Sequence, residues 1–500
     1  MSTSHATTAT VRVAFDDADG EAAAEAAERA AADADGIVVR RVGSPGTADL
    51  PAVAVTRDGR TALLTGVDTD EAAALVASVD AGEFPNDEAV GVVDHDPETM
   101  EFPFPEGPLS VGVRRTLVGA GWLDPTAFDP PTDGDAGDTG LSTLSTLGLR
   151  GRGWGDAAQD DPVAAEWRTA RAAEGDPVVV VNGLDADPKV DADRLLLSSL
   201  TGRVFAGVVV AARAVDVSEV VVALPEDDPV VAERVRAVAD VVEDETRLTV
   251  EVTAAQAAYM TAEPTALLES LEGNDRIEAR RRPPAPAAWG LFERPTLVHT
   301  PRTLAAIERA VADPAAYDAG AADPGTRLVT VVGDRRRTVE LPTDASLSRA
   351  LVEGECGAFA CVGGRFGGVT RDLDTPVAAP ALRGAGLGTN GSVEPFSTGE
   401  DGACAVAVAG RRIATAREEN CGRCVPCREG STQAHERLRA VYNGDLSTTR
   451  LRELARTMRR TSLCGFGRDA ARPLASVLSE FEADLRAHAD GRCPAGVCDL

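Results

Sequence analysis

Cys421, Cys424 and Cys427 stand at two-residue intervals in Asn420-Cys-Gly-Arg-Cys-Val-Pro-Cys-Arg-Glu-Gly430, and Cys464 follows alone in Thr461-Ser-Leu-Cys-Gly-Phe-Gly467. Nothing else in the chain restricts its fold as tightly, because these thiols must converge once the chain turns back. Three thiolates so spaced wrap one face of a cubane and a distant fourth closes it, which points to a [4Fe-4S] cluster. A structural zinc ion usually draws its ligands as two separate pairs. Zinc is the second reading and unliganded core cysteines the third.

Eighty acidic against fifty basic residues give a formal charge of -30, yet 44% of residues are apolar, enough to bury cores. Lys189 is the single lysine, a composition similar to that of salt-loving archaea. The acidity therefore reads as a hydrated surface in concentrated salt before it reads as a partner site. No basic patch suggests nucleic acid. There is no run of about 18 apolar residues and no signal-like N-terminus, so direct membrane insertion is not expected and a cytoplasmic location is. All nine cysteines lie at or after Cys356, a pattern that suits metal chemistry in a reducing compartment.

Periodicity divides the chain into an α/β multidomain protein. Residues 1–100 alternate strands (11–15, 37–41, 52–55) with helices (21–32, 70–79), and 101–147 form a connecting segment with an acidic loop from Asp124 to Gly140. In 148–322, strands at 178–181, 219–224 and 248–252 with helices at 195–215 and 230–242 predict a parallel, helix-covered sheet. Residues 323–402 read as a compact β-grasp-like module with strands at 328–332 and 338–341 and a helix over 347–353. Residues 403–488 read as a helical bundle (433–442, 448–460, 472–488) around the cysteines, and 489–500 as a cysteine-containing tail.

In that order the motifs resemble the flavin- and NADH-binding subunit of respiratory complex I and its relatives in NAD-linked hydrogenases and formate dehydrogenases. The resemblance rests on Gly148-Leu-Arg-Gly-Arg-Gly153, the strand ending at Asn182, the Ala258–Gly273 segment, the β-grasp (SLBB) module and Cys421 to Cys464. It implies that NADH reduces FMN, that electrons pass singly to the [4Fe-4S] centre, and that the partners are other subunits of an electron-transfer complex. Residues 37–85 resemble the thioredoxin-like [2Fe-2S] domain of hydrogenase-type relatives, but without its cysteines, so no cluster is expected there.

Carried over residue by residue, the resemblance assigns the cluster to Cys421, Cys424, Cys427 and Cys464. It assigns FMN or NADH to Gly151, Arg152, Gly153, Asn182, Asp185, Tyr259, Glu263 and Thr303. Glycines in such a loop let backbone amides approach an anion. Other positions depart from the family. Trp154 replaces a glycine, Gly155-Asp-Ala-Ala-Gln-Asp-Asp161 lacks the family's lysine, Leu184 replaces an acid, Pro264 replaces a glutamate, and His299-Thr-Pro-Arg-Thr303 keeps only Thr303 of the phosphate signature. FMN and NADH are thus expected to bind weakly or not at all, and no catalytic residue is assigned. Tyr259 also reads as a core residue and Glu263 as a helix N-terminal acid. His299, His435 and His488 read as surface or loop histidines, and Cys356, Cys361 and Cys404 as small core residues. Cys493 and Cys498 read first as a labile thiol pair or a remnant of the junction that precedes a ferredoxin-like domain in hydrogenase-type relatives, and second as half of a metal site completed by His488 or a partner. The expected function is an electron relay with a degraded flavin site; a working NADH:acceptor flavoprotein and a scaffold with a structural cluster are the alternatives.

Overall fold

The computed structural model describes residues 9–498 apart from 35, 48, 105–106, 132–137, 334–335 and 400–401. Three sheets and a helical bundle follow one another along the chain. In the first sheet, β1 (Ala9–Ala14), β2 (Ile37–Val42), β3 (Ala52–Arg57), β4 (Arg60–Thr65) and β5 (Gly91–Asp94) lie in the order β2-β1-β3-β4-β5. Only β1 and β2 run parallel. Their crossover is the helix Ala18–Ala31, capped by Asp17, whose carboxylate accepts from the Gly20 amide. Alternation decides the faces: Val11, Val13, Val53 and Val55 pack under this helix and Thr69–Asp80, while Ala14, Ala52 and Ala54 meet Phe102 and Trp122.

The second sheet, β8-β7-β6-β9, is wholly parallel: β6 (Val178–Asn182), β7 (Glu219–Pro225), β8 (Thr249–Ala255) and β9 (Thr296–His299). Helices cover both faces, which is why Val178–Val181 of β6 is an unbroken buried apolar run. The single helix expected over 195–215 is two, Ala192–Ser199 and Thr201–Val215, bent by 100°. Leu200 leaves the helical region at the bend (φ -144, ψ 41). Gly207 lies so close to helix Pro301–Ala312 that a Cβ there would stand 2.1 Å from the Leu304 carbonyl oxygen. Among the described residues no single helix is long and apolar enough to cross a membrane.

The third sheet, β11-β10-β14-β12-β13, comprises β10 (Thr326–Val331), β11 (Arg337–Pro342), β12 (Phe359–Val362), β13 (Gly368–Thr370) and β14 (Ser392–Phe396), with β10 and β14 parallel at its centre. The helix expected over 347–353 is one 3-10 turn, Leu347–Ala350. Leu347 and Ala350 fill the core within that turn, and Glu355 then accepts from the Val352 amide and pairs with Arg337, pulling the chain out of helical geometry. The final unit holds helices Ala405–Glu419, Val425–Val441, Thr448–Thr461, Gly465–Asp469, Arg472–Glu480 and Glu482–Ala489. The one helix expected over 472–488 breaks at buried Phe481 (φ -120, ψ 26). The acidic loop expected over 124–140 ends in a helix, Asp138–Leu147, and its middle, 132–137, lies outside the described residues.

Polar contacts, buried at Glu340 and half-buried at Arg194, lock the units together. The Glu340 carboxylate of β11 accepts from the amides of Arg115, Thr116 and Leu117, and Arg194 joins Asp16 of the first unit to Asp228 of the second. Left without partners, buried charges of this kind are strongly destabilising.

Candidate functional site

The four cysteines meet where two helices begin. Cys424 is the N-cap residue of Val425–Val441, Cys427 lies in its first turn, and Cys464 is the N-cap residue of Gly465–Asp469. Such termini carry unpaired amides and the positive end of the helix dipole, the side that favours thiolate. Gly422 takes a left-handed turn (φ 78) that separates Cys421 from Cys424. Burial raises the Cys427 thiol, and the neighbouring Cys424, Cys464 and Cys421 raise it further. Burial, then Glu263, push Cys464 up to about 12. The Gly465-Phe-Gly467 turn presses on this group: a Cβ on Gly467 would lie 2.9 Å from that of Cys427. Cys427 and Cys464 are buried and Cys421 and Cys424 half-buried, so the site has one open flank beside exposed Val425.

The glycine-rich loop adjoins the cysteines, and protein groups fill it. The Trp154 indole is buried and stacks on Tyr259, with centroids 4.8 Å apart and planes within 4°. Its amide donates to Asn390 Oδ1 at 2.8 Å and its Nε1 to the Tyr259 carbonyl at 3.2 Å. On the cysteine side its ring reaches Gly465, where a Cβ would be 2.7 Å away. Phe366 meets Tyr259 edge-on and Phe466 lies tilted against it, the two phenylalanines packing edge to face. Gly153 (φ 92) is covered by Arg302 and Gly155 by Asn182, whose amide donates to the carbonyls of Gly155 and Ala262 at 2.9 Å.

The N-terminus of helix Pro301–Ala312, a natural seat for an anion, already holds carboxylates. Thr300 donates its amide to Asp156 and Arg302 its amide to Asp193, Pro301 has none, and the Arg302 guanidinium pairs with Asp193 at 2.6 Å. Thr303 accepts from the Arg152 amide at 2.8 Å, and the buried Arg152 side chain donates to the carbonyls of Thr326 and Pro324. Glu263 caps helix Pro264–Leu271, accepting from the amides of Thr265 (2.8 Å) and Ala266 (3.0 Å). Asp185 (φ 37) accepts from the Arg194 amide, and burial, then Asp193, hold its carboxyl well above the usual range.

A cleft of about 660 Å³ opens past the C-terminal ends of β6 and β7, where open α/β sheets take ligands. It is lined by Asp16, Asp185, Asp227 and Asp228 against Arg194 and Arg365. Both arginines are already paired, Arg194 with Asp16 and Asp228 and Arg365 with Glu419. The cleft is thus acidic, a poor match for phosphates.

Three expectations require correction. His299 is buried in β9, accepting at Nε2 from Trp167 Nε1 (2.9 Å) and facing Asp156 at Nδ1 (3.1 Å), since a short buried strand left it no surface. His488 is likewise fully buried, and Cys404 lies beside it with Sγ 3.4 Å from His488 Nε2. Cys356 is exposed, in the irregular stretch between the 3-10 segment and β12. Cys361 is buried within β12. Nothing in the residue pattern marked out Asn390, Asp193 and Arg302, whose roles depend on contacts across 88 to 203 residues.

Two family models match the chain: the Nuo51 FMN-binding domain over residues 144–309 and the NADH-ubiquinone oxidoreductase-F iron-sulfur binding region over 407–488. An F-type subunit of the NADH-quinone oxidoreductase of Rhizobium meliloti is 30% identical over 381 residues, covering 69% of this chain and 88% of the relative. The NADP-reducing hydrogenase subunit HndC of Solidesulfovibrio fructosivorans is 28% identical over 430 residues, 77% and 86% of the two chains. An NAD+-reducing [NiFe]-hydrogenase solved in the air-oxidized state superposes with a TM-score of 0.65 at 25% identity, covering 100% of this chain and 87% of the other. With the cysteines gathered at two helix starts and both models aligned on the units that hold the site, the chain belongs to the NADH-quinone oxidoreductase F-type family of electron-transfer subunits.

Proposed function

We propose that this subunit relays electrons through one [4Fe-4S] cluster held by Cys421, Cys424, Cys427 and Cys464, and that its flavin and nicotinamide sites have closed on themselves. The observation that carries this reading is the Trp154 stack on Tyr259, an indole lying between the glycine-rich loop and Gly465. The donor set suits the cluster: four soft thiols, two of them buried, at helix starts. It does not suit FMN. The Trp154 indole fills the space beside the glycine-rich loop, and the amides of Thr300 and Arg302 that would meet a phosphate already donate to Asp156 and Asp193. The acidic cleft argues likewise against NADH.

The cluster, when bound, supplies single-electron transfer. The chain's own residues hold it at a dry inner face, with Phe466 and Cys427 buried, and leave Cys421 and Cys424 toward a flank where a partner subunit of the complex can dock. The sheet orders β2-β1-β3-β4-β5 and β11-β10-β14-β12-β13 support a thioredoxin-like first unit and a β-grasp third unit. The match to an FMN-binding domain over 144–309 favours the second reading, a working NADH:acceptor flavoprotein. Anaerobic purification with iron, sulfide and FMN quantified separates them. The relay reading expects iron and sulfide without flavin and negligible ferricyanide reduction by NADH; stoichiometric FMN with rapid NADH oxidation would overturn it. A reversible cluster potential excludes a purely structural cluster.

A further inference from the structure

Cys404, His488, Cys493 and Cys498 place one donor atom each within 4.8 Å of one another, and among the described residues no other group of three or more potential ligands is so compact. We propose that these four side chains form a second metal site that takes a single Zn2+ ion in tetrahedral Cys3His coordination. The site is separate from the four cysteines of the cluster.

Several independent features converge on it. Three thiols and one imidazole are a closed structural zinc set. Zinc–sulfur bonds of about 2.3 Å and zinc–nitrogen bonds of about 2.0–2.1 Å require ligand atoms about 3.6–3.8 Å apart. The Cys404 Sγ to His488 Nε2 distance is already 3.4 Å, so closing the site needs only small shifts of the tail thiols. His488 Nδ1 lies 2.6 Å from the Asp484 carbonyl oxygen, which can only accept. That contact places the ring proton on Nδ1 and turns the Nε2 lone pair toward Cys404, the supporting hydrogen bond that zinc-bound histidines use. Gly496 (φ 74) turns the Cys493-Pro-Ala-Gly-Val-Cys498 loop back so that both thiols face the same point. Tyr442, which ends the helix carrying Cys424 and Cys427, packs edge-on against His488 with centroids 5.3 Å apart.

Binding releases the three thiol protons as three thiolates and the imidazole take the ion. The ion would then join the start of helix Ala405–Glu419 to the end of Glu482–Ala489 and to the tail, tying off the bundle without any redox role.

The test is metal analysis of the full chain purified anaerobically. We expect one zinc per chain in addition to the iron, and in Cys498→Ser at least a tenfold loss of zinc retention against a chelator with iron per chain unchanged. Because a variant can misfold, the wild-type chain is also exchanged with Co2+. Tetrahedral thiolate–cobalt absorption in the wild type, lost in Cys498→Ser, supports the site. Wild-type protein with full iron but neither zinc nor Co2+ uptake overturns the proposal, and an additional iron in place of zinc overturns the choice of metal.

Discussion

The cysteine site and the glycine-rich loop are neighbours built on opposite terms. At the first, side chains converge and leave their sulfurs to one another, with one flank open. At the second, the groups that would face a ligand have protein partners: Gly153 under Arg302, Asn182 on two carbonyls, the helix start on Asp156 and Asp193. Retained family residues therefore do not carry one meaning. A glycine kept for close approach serves a packed indole as well as a flavin, whereas a cysteine triple has few uses besides metal.

The sharpest break of this comparison is at the cysteines. Cys464→Ser or Cys424→Ser should take iron from about four per chain to a small remainder and abolish the brown absorbance, because a hydroxyl is a poor ligand for the cluster. Iron retained in both variants would remove the contrast. Next comes the loop. Trp154→Ala should cost about 3–5 kcal/mol in chemical denaturation, the range for emptying a buried tryptophan. Fluorescence titration should still show no tight FMN binding, since the carboxylates keep the anion seat. Tight FMN binding in this variant would reduce the closure to one side chain.

The smallest effect is a pH dependence at the seam between the units. Burial works to raise the Asp323 carboxyl, but Arg327 (2.6 Å) and Arg152 (3.5 Å), with the Ala379 amide, outweigh it and hold it at about 2. Since this folded value lies below the ordinary value of about 4, the stabilisation is complete above about pH 4 and is lost as pH falls toward 2. It should amount to about 2.5 kcal/mol. Denaturation midpoints across that window should slope in the wild type and flatten in Asp323→Asn.

Much of the architecture was legible because it is written in local periods. The buried run Val178–Val181, the helix 229–245 and the cysteine spacing each needed only their own residues. Other elements were legible but unread: Asp58-Gly59, both at positive φ, make the two-residue hairpin turn that pairs β3 with β4. The breaks at Leu200 and Phe481 left no local mark, because each residue is compatible with a helix and its backbone is set by burial against distant elements. The loop departures at Trp154 and His299 could be seen as substitutions, but not that Asn390, Asp156 and Asp193 would be their hydrogen-bond partners and that of Arg302. Cys404 and His488 are 84 residues apart, beyond any spacing rule.

The position of Trp154 has an optical consequence. Of the four tryptophans, it is the one whose ring abuts the residue after Cys464. An iron-sulfur chromophore there absorbs across the indole emission band, so the loaded chain should be dim and bleaching of the cluster should brighten it. Comparing emission of wild type and Trp154→Phe during anaerobic reconstitution would reveal it: a quench as iron enters, present in the first and much reduced in the second. The indole stacked on Tyr259 would then serve as a built-in gauge of whether the neighbouring centre is full.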